Sequence, residues 1–250
     1  MTVHLLGTGS ANAGPDRTTT MLALEHGART VLIDCGGDAA LRMVRAGLDP
    51  VALDAVVLTH EHPDHISGYP LLIEKLWLMG RRTPIDVYGP TPTLEKAETL
   101  FGLFDTKHWD GLPERRLHFV DLEDASPVLD LDGLRMTAWP VDHPVPTVGF
   151  RIEDGDVTVA YSCDTAKSDT VVGFARDADL LIHEATESIP HVHSSALEAA
   201  KVALEAGVGR LVLVHAPAET GDLEDARAVF EDVRWGCDGD RLEVRAAVRP

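Results

Sequence analysis

The chain has 250 residues, 44% apolar and only 5% aromatic, with a formal net charge of -19. That length suits one large domain or two small ones around an aliphatic core, and nothing in the composition marks disorder. So acidic a surface repels phosphate backbones unless a local patch is reversed, which argues against long nucleic-acid partners; solubility or a salty cytosol accounts for the same charge.

The first element is a strand, "VHLLG" at 3–7, with no basic segment and apolar run before it, so no signal peptide is expected. A glycine turn follows in "LLGTGSANAGPDRTTT". It is not a dinucleotide fingerprint, because Asn12 holds the third glycine position, and no Gly-Lys-Ser/Thr makes it a phosphate loop. Arg17 in this turn is a weak candidate for approaching a substrate phosphate; the plainer reading is an exposed arginine. Strand "TVLIDCG" (30–36), helix "DAALRMVRAGL" (38–48) and strand "AVVLTH" (55–60) come next. Then follow helix 70–81, strand 85–90 and helix 93–104. The weakly patterned stretch 105–116 reads as a surface loop near a site mouth. Strands are expected at 134–143, 157–164 and 179–185. Helix 194–207 has Ser195 as N-cap, Glu198 to complete a capping box and Gly207 as its stop. Strand 210–216, helix 222–233 and strand "LEVRAAV" (242–248) end the series.

Strands and helices mix throughout, with no Ser/Gly/Pro-rich linker and no short repeat, so residues 1–250 read as a single α/β domain. Cys35, Cys163 and Cys237 are an odd set without paired spacing, which argues against a disulfide framework and a CxxC zinc clasp. No apolar stretch approaches membrane-spanning length. A reducing cytoplasm is the expected compartment, with no membrane partner.

The stretch "VVLTHEHPDHISG" (56–68) runs from an apolar strand into a turn and spends three histidines and two acids in six residues. Imidazole and carboxylate are ligands for Zn, Mn or Fe. His60 and His62, two residues apart, can point the same way. Asp64 and His65 can turn toward a second point as a helix begins. Two close metals need further ligands, and three other strand ends supply candidates: His143 after "TAWPVD", Asp164 after "VTVAYSC" and His215 after "LVLV". Each alone is ordinary; with HxHxDH they fill two coordination spheres.

The order THxHxDH, His, Asp, His resembles the metallo-β-lactamase superfamily over nearly the whole chain. The resemblance implies a four-layer αββα sandwich of two facing sheets flanked by helices. It implies two divalent metal ions, with zinc expected first and Mn or Fe as alternatives. His60, His62 and His143 would hold one metal, Asp64, His65 and His215 the other, and Asp164 would bridge them. Asp34, in "VLIDCG", matches the buried aspartate that braces the ligand loop. Two further stretches, "DADLLIHEAT" with His183 and Glu184, and "HVHSSALEAAKVA" with His193, are similar to the ribonuclease Z branch. By that similarity His193 is the general acid, Glu184 its orienting partner, and Asp64 doubles as proton acceptor for the attacking water. His193 is preferred over His191 because it directly precedes "SSA", and His183 is expected to face the core or a neighbouring strand. A homodimer is a family-based expectation only.

Members of that branch that process transfer RNA carry an extended arm between the third-motif His and the bridging Asp. Here "PVPTVGFRIEDGDVTVAYSC" separates His143 from Asp164, enough for two strands and a turn. The leading expectation is therefore a dinuclear metal-dependent phosphodiesterase for small phosphodiesters such as cyclic nucleotides or nucleotide fragments. Alternatives are a ribonuclease Z-type endonuclease that borrows its binding surface, a carboxylic ester, lactone or thioester hydrolase, and an inactive metal- or RNA-binding module.

Overall fold

The computed structural model describes residues 1–246. The first part of the chain forms β1 (Thr2–Gly7), β2 (Met21–His26), β3 (Arg29–Ile33), β4 (Ala55–Val57), β5 (Ile85–Pro90) and β6 (Arg115–Val120). Helices α1 (Ala39–Arg45), α2 (Pro63–Ile66), α3 (Tyr69–Leu78) and α4 (Thr91–Gly102) lie between them. The rest forms β7 (Ser126–Leu131), β8 (Leu134–Pro140), β9 (Val148–Asp154), β10 (Val157–Tyr161), β11 (Leu180–Glu184), β12 (Leu211–Val214), β13 (Val233–Trp235) and β14 (Arg241–Glu243), with α5 (Asp169–Phe174), α6 (Ala196–Ala206) and α7 (Glu224–Val229).

Among the described residues the strands make two seven-stranded sheets, ordered β14-β1-β2-β3-β4-β5-β6 and β13-β12-β11-β10-β9-β8-β7. Side chains alternate along a strand, so one face of each sheet meets the other sheet and the opposite face meets helices. Val31, Ile33 and Val57 face Phe150, Ile182 and Val212 across the central core. Leu32 and Val56 pack outward on Met43, Leu72 and Leu94, while Leu181 and Leu213 pack on Phe174, Ala199 and Ala203. These three apolar layers give the αββα sandwich.

The ladders β3-β4-β5-β6 and β10-β11-β12-β13 are parallel. Their carboxyl ends therefore gather on one side of each sheet, where Asp34, His60, Asp164, Glu184 and His215 lie. β14, the last strand, joins the first sheet through Thr2–Glu243 and Val3–Leu242 pairing with β1. Beside it Asp238 accepts from the Thr8 amide (2.9 Å), the Thr8 hydroxyl (2.8 Å) and the Thr18 amide (2.8 Å).

Helix α6 starts and stops as its sequence predicts. Ser195 and Glu198 form a reciprocal capping box, and Gly207 takes the left-handed conformation at the C-terminus (φ 67°). Other elements differ. α7 covers only Glu224–Val229. Arg115 and Arg116, read as loop, start β6. The loop before them docks on α3 through Trp109, stacked on Trp77 with ring centroids 5.0 Å apart. Residues 247 and 248 of the last expected strand lie outside the described residues. Among the described residues no helix is long and apolar enough to cross a membrane.

Candidate metal centre

The ligand loop is built by an early break in β4. The Leu58 amide still donates to Tyr88 O at 2.8 Å. The Thr59 amide and hydroxyl then turn to Asp34, donating to Oδ1 and Oδ2 at 2.8 Å each. This carries His60 out of the ladder and into the space between the sheets. His62 becomes the N-cap of α2 and Pro63 its first residue, where proline's fixed φ suits a helix start. Asp64 and His65 thereby fall in the first turn. Gly36 lets α2 lie against the 35–37 loop: a Cβ there would meet Asp64 O at 1.7 Å. Asp34 (φ 61°), Cys163 (φ 53°) and His215 (φ 51°), after β3, β10 and β12, are left-handed without being glycine. Such backbone costs about 1–3 kcal/mol at each position and concentrates at functional sites.

Seven side chains converge there. His60 Nε2 lies 3.1 Å and His143 Nε2 3.2 Å from His62 Nδ1. Ligand atoms of His60, His62, His143 and Asp164 all fall within 4.8 Å of one another. On the other side His215 Nε2 is 3.3 Å from Asp64 Oδ2 and 3.2 Å from Asp164 Oδ2, and His65 Nε2 is 3.5 Å from Asp164 Oδ2. Asp164 faces both groups.

The outer ring nitrogens fix the tautomers. Asp34 can only accept, so His65 Nδ1 donates to it at 2.8 Å. His143 Nδ1 donates to Val192 O at 2.9 Å. The Thr186 hydroxyl donates to His215 O, so it accepts from His215 Nδ1. The Thr59 hydroxyl, spent on Asp34, likewise accepts from His60 Nδ1 at 3.0 Å. Four imidazoles thus turn an Nε2 lone pair into the cluster, as oriented metal-ligating histidines do. The free nitrogens of His60 and His143 both crowd His62 Nδ1, at 3.1 and 3.2 Å, and a proton there can serve only one of them. His65 Nε2 and Asp164 Oδ1 are buried with no hydrogen-bond partner. The donor set therefore fits divalent metals.

The electrostatics agree for His60, His62 and His143, whereas without a metal His65 is held as a cation whose Nε2 proton a bound ion would displace. Burial holds the His60, His62 and His143 imidazoles below their ordinary pKa, well below for His60, so they are neutral as ligands must be. Burial opposes ionisation of Asp164, yet His215 and His65 hold it well below the usual carboxylate range. Asp64 is lowered too, with His215 and His65 outweighing burial. At His65 burial again disfavours charge, but Asp164 and Asp34 favour a cation strongly enough to raise it well above its ordinary value.

Beside the cluster His193 Nδ1 donates to Glu184 Oε1 at 2.8 Å. Glu184 is fully buried and also accepts from the amides of Thr165 (3.1 Å), Ser194 (3.1 Å) and Thr186 (3.0 Å). Burial lowers the His193 pKa, but the Glu184 bond and charge, with Asp164 and Asp64, raise it overall. One nitrogen of His193 lies within 4.8 Å of ligand atoms of Asp164 and His215. His191 is elsewhere, exposed and bonded to Asp142 at 2.9 Å. His183 is buried, its Nδ1 donating to Glu184 O.

Arg17 does not join this group. Its Nη1 donates to the Thr8 hydroxyl and Gly236 O, and it is half-buried instead of exposed, so it braces the β1–β2 connection. Sequence reasoning missed Thr59, Thr186 and Cys163, whose Sγ lies 3.6 Å from His60 Nδ1. Thr59 immediately precedes HxHxDH and was the one with a readable signal.

A two-sheet αββα sandwich with an HxHxDH cluster at its strand ends defines a metallo-β-lactamase-type protein. Residues 29–216 match the Beta-lactamase superfamily domain, and the chain belongs to that superfamily. The ribonuclease Z of Mycobacterium sp. (strain KMS) is 32% identical over 280 aligned positions, covering 98% of this chain and 97% of that protein. That alignment is longer than this chain, so the mycobacterial protein carries segments this one lacks. The metallo-β-lactamase fold protein YhfI from Bacillus subtilis superposes with a TM-score of 0.80 at 26% identity, over 96% of this chain and 98% of that one. Human tRNase Z, short form, shares the fold with a TM-score of 0.82 at 24% identity, over 98% and 100%. The chain is a metal-dependent hydrolase of this superfamily.

Proposed function

We propose that this protein is a phosphodiesterase for small phosphodiesters, of the class of cyclic nucleotides or nucleotide fragments. The observation that carries the reading is the His193–Glu184 pair at the edge of the metal cluster. Ester and lactone hydrolysis also expels an alkoxide, so the preference rests on the stretch that supplies His193, "HVHSSALEAAKVA", which is similar to the ribonuclease Z branch. His60, His62 and His143 would hold one divalent ion, Asp64, His65 and His215 the other, with Asp164 shared; zinc is the first candidate and Mn or Fe fit the same donors. Bound there, the ions would supply Lewis-acid activation of the phosphoryl group and the attacking water.

The protein's own groups handle the protons. Asp64, held ionised, accepts a proton from the attacking water. His193 delivers the proton on Nε2 to the departing oxygen, and the pair of electrons from the broken P–O bond stays with that oxygen. Glu184 keeps Nδ1 protonated and the ring oriented, and its charge offsets the nearby N-terminus of α6, which disfavours an imidazolium.

The small-substrate assignment is supported by the connection from His143 to Asp164. It is a plain hairpin, β9 to β10, with Asp154 paired to Val157 and Gly155 in the turn, and the net charge of -19 adds to it. Ribonuclease Z activity is the second reading, favoured by the naming of relatives at 32% identity; it requires a binding surface from elsewhere. A hydrolysis panel separates them: cyclic nucleotides, dinucleotides, a bis-aryl phosphate, an aryl acetate, a lactone and precursor transfer RNA, each with defined metals. Turnover of small phosphodiesters is expected, with weak, steeply salt-sensitive binding of precursor transfer RNA. Efficient cleavage of precursor transfer RNA by this chain alone at physiological salt would overturn the assignment.

A further inference from the structure

A cavity of about 260 Å³ is lined by His193 together with Asp142, Lys167, Ile189, His191 and Glu198 among others. Its position is fixed by the site. Asp142 precedes the proposed ligand His143, and the Ala166 amide, two residues past Asp164, donates to Asp142 O at 2.9 Å. A general acid must touch the oxygen that departs, so a cavity that shares His193 is the space nearest the departing portion.

The charges lining the cavity are mostly committed. Glu198 accepts from the Ser188 hydroxyl at 3.0 Å and from the Ser195 amide at 2.8 Å. Asp142 accepts from His191 at 2.9 Å. Lys167 differs: it is exposed, and among the described residues the lysines in ion pairs are Lys75 and Lys96. Lys167 is the one lysine of this lining, set beside the carboxylates of Asp142 and Glu198. Ile189 adds an apolar wall.

We propose that this cavity receives the leaving portion of the phosphodiester and that Lys167 is its specificity-determining residue, selecting leaving portions that carry a phosphate monoester. The inference rests on the phosphodiesterase reading and adds the substrate class, a nucleotide fragment with a terminal phosphate on its departing side. Lys167 acts on binding and takes no part in the chemical step.

The test compares one dinucleotide in three forms, unphosphorylated, 5′-phosphorylated and 3′-phosphorylated, with metal-loaded wild type, Lys167→Ala and Lys167→Arg. One phosphorylated form should show a KM about tenfold below the unphosphorylated one, the order of a charge-assisted contact at a partly exposed site, with kcat unchanged. Lys167→Ala should erase that preference without altering turnover of the unphosphorylated form. Lys167→Arg should keep it, and added salt should shrink it. Full preference in Lys167→Ala, or none in wild type, overturns the proposal. Calorimetry with adenosine 3′,5′-bisphosphate against the two adenosine monophosphates gives a reading without turnover. The bisphosphate should bind wild type about tenfold tighter than either monophosphate and lose that advantage in Lys167→Ala. An unchanged advantage refutes the subsite. Uncut dinucleotides with the calorimetric difference intact refute the phosphodiesterase reading alone.

Discussion

His193→Ala tests the assignment of the general acid. The side chain is 17% exposed and touches the fold through Glu184. Its removal takes one partner from a buried carboxylate that keeps three backbone amides. The stability loss should be about 1.5–3 kcal/mol, the usual range for a hydrogen bond to a charged group, and the protein should stay folded. Both metals should remain bound. Turnover of an alkoxide-leaving ester should fall by about 10²–10⁴, or roughly 3–5.5 kcal/mol of transition-state stabilisation. A nitrophenolate leaves without a proton, so activated aryl esters should lose far less. The assay is kcat across phosphodiesters that share one nucleoside and differ only in leaving group, with metal content measured on the same preparations. Loss of metal would make His193 a ligand beside Asp164 and His215. An equal loss for every leaving group would remove the general acid from the mechanism.

Asp164→Ala removes the carboxylate that faces both clusters, so it should lose at least one metal and nearly all activity while circular dichroism stays native. Wild type should hold two metals per chain, and a stoichiometry of one would contradict the shared role of Asp164. Glu184→Gln removes the charge that raises His193. A general acid works while protonated, so activity is lost as pH rises through its folded-state pKa. The alkaline limb of the kcat profile should therefore move to lower pH in this variant, and an unmoved limb would assign it to another group.

The cluster of seven side chains was legible because chemistry at strand ends leaves a pattern. His60, His62, Asp64 and His65 follow an apolar run, and His143, Asp164 and His215 each close another. The structure brings all seven together. The resemblance supplied Asp34 as a brace; what could not be read was the part Thr59 plays in it. Thr59 looks like a strand residue, yet its hydroxyl links Asp34 to His60 while Asp34 also holds His65. The left-handed φ of Asp34, Cys163 and His215 has no sequence signature, since none is glycine. Strands were missed where composition misleads. "MLALEH" (β2) is rich in good helix formers, and pairing on both sides by β1 and β3 overrides them. "RRLHFV" (β6) is half exposed at a sheet edge, so its apolar alternation is weak.

The placement of β14 sets the order in which the protein can be completed. The Thr8–Asp238 hydrogen bonds span 230 positions, and the Met1 carbonyl accepts from the Val244 amide at 3.0 Å. On a ribosome, all seven proposed ligands emerge before the strand that closes the first sheet. The turn that Asp238 anchors also pairs with the residue after His215, through Ser10 to Ala216 O (2.9 Å) and Ala216 to Thr8 O (2.9 Å). The loop that carries His215 is thus held by a turn synthesised before it, and that turn is itself anchored by Asp238, synthesised after it. Contacts this distant in sequence make closure slow relative to local folding. Until then β1 is an open edge available to any strand nearby. The final segment of the described chain acts as a latch on β1 and on the turn that follows it, and a truncation that spares all seven proposed ligands would remove it.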